Sequence, residues 1–245
     1  LSIHTDRLVC LYYYSISHMS TGGDAFRLES LLITEYLEPF HPLSYAWMMI
    51  ESIEVRWFFE TEPLVLKSLF QRSFEAPPRT DWYAFPCDNR SGIKIREGKL
   101  ETKLRVEELG LSRFGEAEGR IERWKKWSVV FSHEDIPPDH VLASAGWIAV
   151  HKVRSLKVFR VQESTVSEIK DFQSNWPENG ALFEYTKIQA NGAQWATSGL
   201  EAFGASESLY GNLLSVAATV FPQLPNCSAL TGNNSFAYPA WLEYV

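Results

Sequence analysis

The chain has 245 residues, 45% hydrophobic, 14% aromatic and 22% charged, too apolar for a disordered segment and long enough for one sizeable domain or two small ones. Its 23 Lys and Arg against 30 Asp and Glu give a formal charge of −7, so the overall balance argues against a nucleic-acid partner and any anion site has to be local. Cys10, Cys87 and Cys227 lie far apart without zinc-site spacing, and no early apolar run approaches the ~18 residues of a membrane span; together these predict a soluble, cytoplasmic protein with no membrane partner.

The only methionines are Met19, Met48 and Met49, and the first 47 residues contain no Lys and no sustained period of 3.6 or 2. The sequence therefore predicts residues 1–47 to be a non-native or disordered leader and residues 48–245 to form a single domain. From residue 50 onward short period-2 runs alternate with turn signals, the pattern of an antiparallel β structure. Strands are predicted over residues 52–59, 79–85, 92–97, 100–107, 122–132, 145–154, 156–161, 181–190 and 194–203. Glu97-Gly98 and Asn191-Gly192 are two-residue hairpin signals. Helices are predicted over residues 63–73, 164–175 and 206–221, and the Tyr238-Pro239-Ala240-Trp241-Leu242 run reads as a segment docking back on the domain.

Charge follows strand parity. Successive strand side chains point to opposite faces, so Glu54 and Arg56 oppose Ile53, Val55 and Trp57; Lys94 and Arg96 oppose Ile93 and Ile95; Glu101, Lys103 and Arg105 oppose Leu100, Leu104 and Val106; and Lys152 and Arg154 oppose Val153. A single such strand is an ordinary half-solvated strand whose charges pair with its neighbours. Lys and Arg on shared faces of four strands predict something further: a barrel with its apolar faces outward under helices and a polar lumen crowded with cations. Arginine forks and lysine point charges from several strands suit a chain of phosphates. The carboxylates on the same face, Glu54, Glu184 and Glu201, would serve such a guest through Mg2+ or Mn2+, which takes one or two carboxylates and leaves the rest of its shell to water and phosphate oxygens. Walker A, GxSxG and HExxH patterns are absent from the sequence, which argues against P-loop, serine-hydrolase and zincin chemistry.

In this order the motifs resemble the CYTH-type triphosphate tunnel metalloenzymes. Ser52-Ile53-Glu54-Val55-Arg56 is similar to the family's opening Glu-x-Glu-x-Lys strand, Arg79-Thr80-Asp81-Trp82-Tyr83 to its Arg/Asp/Tyr strand, and the Lys94/Arg96, Lys103/Arg105 and Lys152/Arg154 pairs to its basic strands. Phe183-Glu184-Tyr185-Thr186 and Gly199-Leu200-Glu201-Ala202-Phe203 are similar to its late carboxylate strands. Ser52 and Phe203 stand where the family's pattern has carboxylates.

The resemblance implies a mainly β fold with flanking helices (α+β), a closed antiparallel eight-stranded β-barrel enclosing a basic tunnel, with a C-terminal helix. It also implies a metal-dependent phosphohydrolase acting on a polyphosphorylated small molecule: inorganic triphosphate, a nucleotide or thiamine triphosphate. In that role Glu54 and Arg56 are the expected catalytic residues; Lys94, Arg96, Lys103, Arg105, Lys152 and Arg154 hold phosphates; and Glu54, Glu184 and Glu201 hold Mg2+ or Mn2+. The alternative is a non-catalytic polyphosphate- or nucleotide-binding barrel that has lost part of the metal site.

Overall fold

The structure, a computed structural model, describes residues 49–85, 88–131, 136–163, 165–224 and 227–245. The leader expected over residues 1–47 lies outside them. Among the described residues there are nine strands: β1 (Ile50–Phe59), β2 (Phe74–Tyr83), β3 (Ser91–Arg96), β4 (Lys99–Phe114), β5 (Ala117–Val130), β6 (Ile148–Gln162), β7 (Thr165–Ile169), β8 (Gly180–Ala190) and β9 (Ala193–Phe203). They pair in the order β2-β3-β4-β5-β1-β9-β8-β6-β7, and β2 also pairs with β6. That last pairing closes eight strands into an antiparallel barrel and leaves β7 as a ninth strand on the outer flank of β6.

Two hairpins follow directly from local chemistry. Glu97 and Gly98 (φ 47° and 74°) join β3 to β4, and Asn191 and Gly192 (φ 48° and 80°) join β8 to β9. Two consecutive positive-φ residues make the tight turn whose twist matches that of the flanking strands. Pro77 and Pro78 lie within β2 at a register shift between Ala76 and Arg79, the kind of irregularity where residues without an N–H are tolerated.

The outward face of β1, with Ile53, Val55, Trp57 and Phe59, joins Phe183, Tyr185, Leu200 and Ala202 in the main core. Helix α3 (Leu209–Val220) covers this face with Leu209, Leu213, Val216, Ala217 and Val220, a stripe at helical spacing. The short helix α1 (Leu64–Leu69) adds the buried Leu66. The barrel is thus apolar outside where helices cover it, and β1 is buried on both faces.

Several predicted elements differ. Residues 164–175, expected as a helix, instead supply β7: Thr165, Val166 and Ile169 favour a strand, and β6 runs on to Gln162 to give them a ladder. The two strands expected over residues 145–161 are this one long β6. Helix α2 (Asp139–Ser144) starts directly after Pro138, where no helix is predicted. The β4–β5 hairpin extends to Phe114 and Ala117, well past the predicted ends, with two register shifts along it.

Candidate functional site

Parity places the charged faces inward, as neighbouring strands show. Glu54 lies opposite Glu122 on β5 and Glu201 on β9, Lys94 opposite Glu101, Lys103 opposite Lys126, and Arg79 opposite Lys152. These side chains surround a cavity of about 330 Å3 lined by eight Lys and Arg and four Glu residues. Of the expected site residues, Glu54, Arg56, Lys94, Arg96, Lys103, Lys152, Arg154, Glu184 and Glu201 all line it. Arg105 does not: its guanidinium is turned to the buried carboxylate of Glu122.

The cations are gathered around shared carboxylates. Asp81, fully buried, receives Arg79 Nε at 2.9 Å, Lys152 Nζ at 2.8 Å and Lys94 Nζ at 3.4 Å. Glu101 receives Arg96 Nε at 2.7 Å, Lys94 Nζ at 3.2 Å and Lys126 Nζ at 4.0 Å. Glu184 accepts from Arg56 Nη1 at 3.1 Å and Arg154 Nε at 2.7 Å. Lys103 is the reverse case, one ammonium 2.7 Å from Glu54 and 3.6 Å from Glu201. Three carboxylates therefore serve seven cations, and the Arg79 and Arg96 Nε contacts, although short, are not aligned as hydrogen bonds.

The electrostatics follow from this crowding. Burial works against the Glu101 carboxylate, but Lys94 and Arg96 outweigh it and hold its pKa at about 2. Glu201 is likewise held at about 2, by Lys103, Lys126 and Arg56 acting against burial. Asp81 and Glu184 lie well below the usual carboxylate range for the same reason, through Lys152 and Lys94 in one case and Arg154 and Arg56 in the other. Burial pushes Lys152 well below an ordinary lysine despite Asp81. For Lys103, Glu201 and Glu54 overcome burial and the shift is upward.

Gly199 makes room for the Arg56 guanidinium. It lies opposite Arg56 on β1 and Glu184 on β8, and a Cβ there would come within 2.8 Å of Arg56 Cζ. One end of the barrel, here called the lower end, is filled. Phe58, Tyr83, Ile148, Val150 and Ile188 form a cluster there with Trp241 and Leu242, flanked by Phe236, Tyr238 and Val245. The helix α4 (Tyr238–Trp241) thus sits within the barrel end rather than on its outer wall, with Pro239 against Gly92 of β3.

The carboxylates expected to hold Mg2+ or Mn2+ do not fit one ion. Glu184 is engaged by two arginines, Glu54 and Glu201 share Lys103, and among the described residues no three His, Cys, Asp or Glu side chains are grouped to hold a metal. Arg79, Asp81, Glu101, Glu122, Lys126 and Tyr238 were not among the site residues expected from the sequence. Parity alone would have found Asp81 and Glu101, which alternate with Arg79 and Lys103 on the inward faces. Tyr238 carries no strand signal. A more open groove of about 490 Å3 lies along Thr80, His151, Lys187 and Gln189; Thr80 bonds His151 at 2.7 Å and Lys187 meets Glu62 at 3.3 Å, so its polar groups are largely occupied.

No protein-family model matches the chain, and no curated protein matches it. Solved structures similar to it include three from Pyrococcus species. A conserved hypothetical protein from Pyrococcus furiosus is 13% identical, covers 76% of this chain and 98% of its own, and has a TM-score of 0.38. The PH1012 protein from Pyrococcus horikoshii OT3 is 11% identical over 76% of this chain and 98% of its own, with a TM-score of 0.35. The PH1819 protein from the same organism is 10% identical over 79% and 99%, with a TM-score of 0.37.

Proposed function

We propose that the lumen binds the phosphates of a polyphosphorylated small molecule. The observation that carries this reading is the sharing of three carboxylates, Asp81, Glu101 and Glu184, among seven cations that line one cavity. A fully neutralised salt-bridge network would have one partner per cation; here the surplus is positive, held on rigid strands and partly withdrawn from water. A dense polyanion supplies the missing acceptors. Arg96, Arg79 and Arg154 offer forked donors, and Lys94, Lys103 and Lys126 point charges, so several phosphate oxygens can be met at once. The motif order similar to triphosphate tunnel enzymes supports the same ligand class.

Binding without turnover is the reading that the donor set favours, because the carboxylates that a divalent ion would need are already committed to cations. Metal-dependent hydrolysis is the competing outcome. Titrating inorganic triphosphate calorimetrically, with and without Mg2+ or Mn2+, beside an assay for released phosphate, tests both. Saturable binding with no divalent-dependent release is the expected result; no binding in either condition overturns the reading.

A further inference from the structure

We propose that Tyr238 is a ligand-contacting residue whose hydroxyl donates a hydrogen bond to a phosphate oxygen in the lumen, making residues 236–245 part of the binding site rather than only a seal. This rests on the phosphate-binding reading above. Tyr238 lines the cavity, and its hydroxyl oxygen is buried with no hydrogen-bond partner among the described residues. A buried, unsatisfied hydroxyl is costly and uncommon, and on a residue of the cavity wall beside the charges of Arg56, Glu184 and Arg154 it is a donor available to a guest.

The ring is firmly placed. The Lys152 ammonium lies 3.8 Å from its centroid and the Arg56 guanidinium 5.2 Å. Tyr83 stacks on it at 5.6 Å, and Phe58 and Trp241 meet it edge-on at 5.1 and 5.7 Å. The hydroxyl is therefore oriented before any ligand arrives. Burial raises its pKa, and Glu184 and Asp81 add to this against the pull of Arg56, so the group keeps its proton and can donate. Its neighbour Tyr83 differs, because that hydroxyl already accepts from Lys152 Nζ at 2.8 Å. The buried Trp241 indole N–H is also unpartnered but lies in the apolar cluster and does not line the cavity. Tyr238 thus combines an unpaired buried donor, a fixed ring and a place on the cavity wall. A neutral donor among cations suits a phosphate oxygen, since it adds a directed bond without adding charge.

The test is Tyr238→Phe in the full chain, with inorganic triphosphate as the probe. The variant is expected to bind roughly ten- to hundredfold more weakly, the scale of a hydrogen bond to a charged group, while its melting temperature stays level or rises because an unsatisfied buried hydroxyl is gone. Affinity within about twofold of the parent overturns this inference and leaves the phosphate reading standing. Failure of the parent to bind triphosphate overturns both. Hydrogen exchange on the parent gives a second arm that does not depend on the variant folding: triphosphate is expected to slow exchange across residues 236–245, and unchanged exchange there also overturns the inference.

Discussion

Glu54 lies directly opposite Glu122 in the pairing of β1 with β5, and both carboxylates are buried. Each is held by a different cation of β4: Lys103 Nζ is 2.7 Å from Glu54, and the Arg105 guanidinium is turned to Glu122. Burial raises the pKa of Glu122, and Glu54 adds to that against Arg105. An acid whose folded pKa is raised lowers stability as pH climbs past its unfolded value, here about 4.5. Glu122→Gln removes that cost, so its stability relative to the parent should be more favourable at pH 8 than at pH 5. Urea midpoints for both proteins at the two values check this; a difference independent of pH would count against the buried repulsion.

Asp81, Glu101, Glu184 and Glu201 have the opposite sign. Their pKa values are lowered on folding, to about 2 for Glu101 and Glu201 and further for Asp81 and Glu184. Their contribution is complete above the ordinary carboxylate range and fades as pH falls from about 4.5 towards 2. Asp81 carries the heaviest load, with three cations on one fully buried carboxylate. Asp81→Asn leaves those cations without their shared counter-charge and should cost about 3–5 kcal/mol at pH 7, the range for breaking a buried pair. The loss should shrink at pH 3. A variant as stable as the parent at neutral pH would show that the cluster is better hydrated than its burial implies.

The barrel and its inward charges were legible because strand parity is a strict rule: Lys94/Arg96, Lys103/Arg105 and Lys152/Arg154 could share a face only by pointing the same way. Parity cannot tell which carboxylate a cation will choose. Glu101 shares a face with Lys103, yet it pairs with Lys94 and Arg96 from the next strand, because register across β3 and β4 decides distance. Docking of residues 238–242 on the domain was legible, but its place at the lower end was not. Tyr238, Trp241 and Leu242 belong to a segment without strand period, and only the folded barrel brings Phe58 and Tyr83 to meet them. Residues 165–169 misled because their neighbours read as helical, whereas the long β6 offered a free edge.

Gly199→Ala tests how tightly Arg56 is seated. A methyl group there would lie within 2.8 Å of Arg56 Cζ, so the guanidinium has to move away from Glu184. Overpacking of this kind costs roughly 1–3 kcal/mol. Thermal melts should show the loss of stability, and triphosphate affinity should fall with it, because Arg56 and Arg154 share Glu184. Unchanged affinity would place Arg56 outside the phosphate contacts.

Glu101→Gln should move stability and affinity in opposite directions. The substitution removes the carboxylate that holds Arg96, Lys94 and Lys126, so the fold should weaken. The same cations are released for a guest, and one negative charge leaves the cavity wall. At a separation near 8 Å and an effective dielectric near 20, that charge repels a phosphate by roughly 2 kcal/mol, so triphosphate should bind more tightly. Calorimetry paired with urea denaturation reads both. Weaker binding by this variant would mean that Glu101 positions the cations rather than competing with the ligand for them.

A binding barrel and a hydrolase respond differently to the loss of lumen charges. Neutralising Arg96 or Lys103 should weaken triphosphate binding by about 1.5–3 kcal/mol under either reading, since each would lose a charged hydrogen bond. Glu201→Gln discriminates. Glu201 and Glu54 face one another across β1 and β9 and share the Lys103 ammonium. In a binding barrel, the substitution removes a negative charge beside the phosphates and leaves Lys103 with Glu54 alone, so affinity rises and Mg2+ or Mn2+ has little effect on either protein. In a hydrolase, the parent would release phosphate only with the divalent ion, and Glu201→Gln would depress that release while metal-free binding stayed level or tightened. The commitment of both carboxylates to Lys103 favours the first pattern: tighter binding by the variant, measured by calorimetry, and no divalent-dependent phosphate release from the parent.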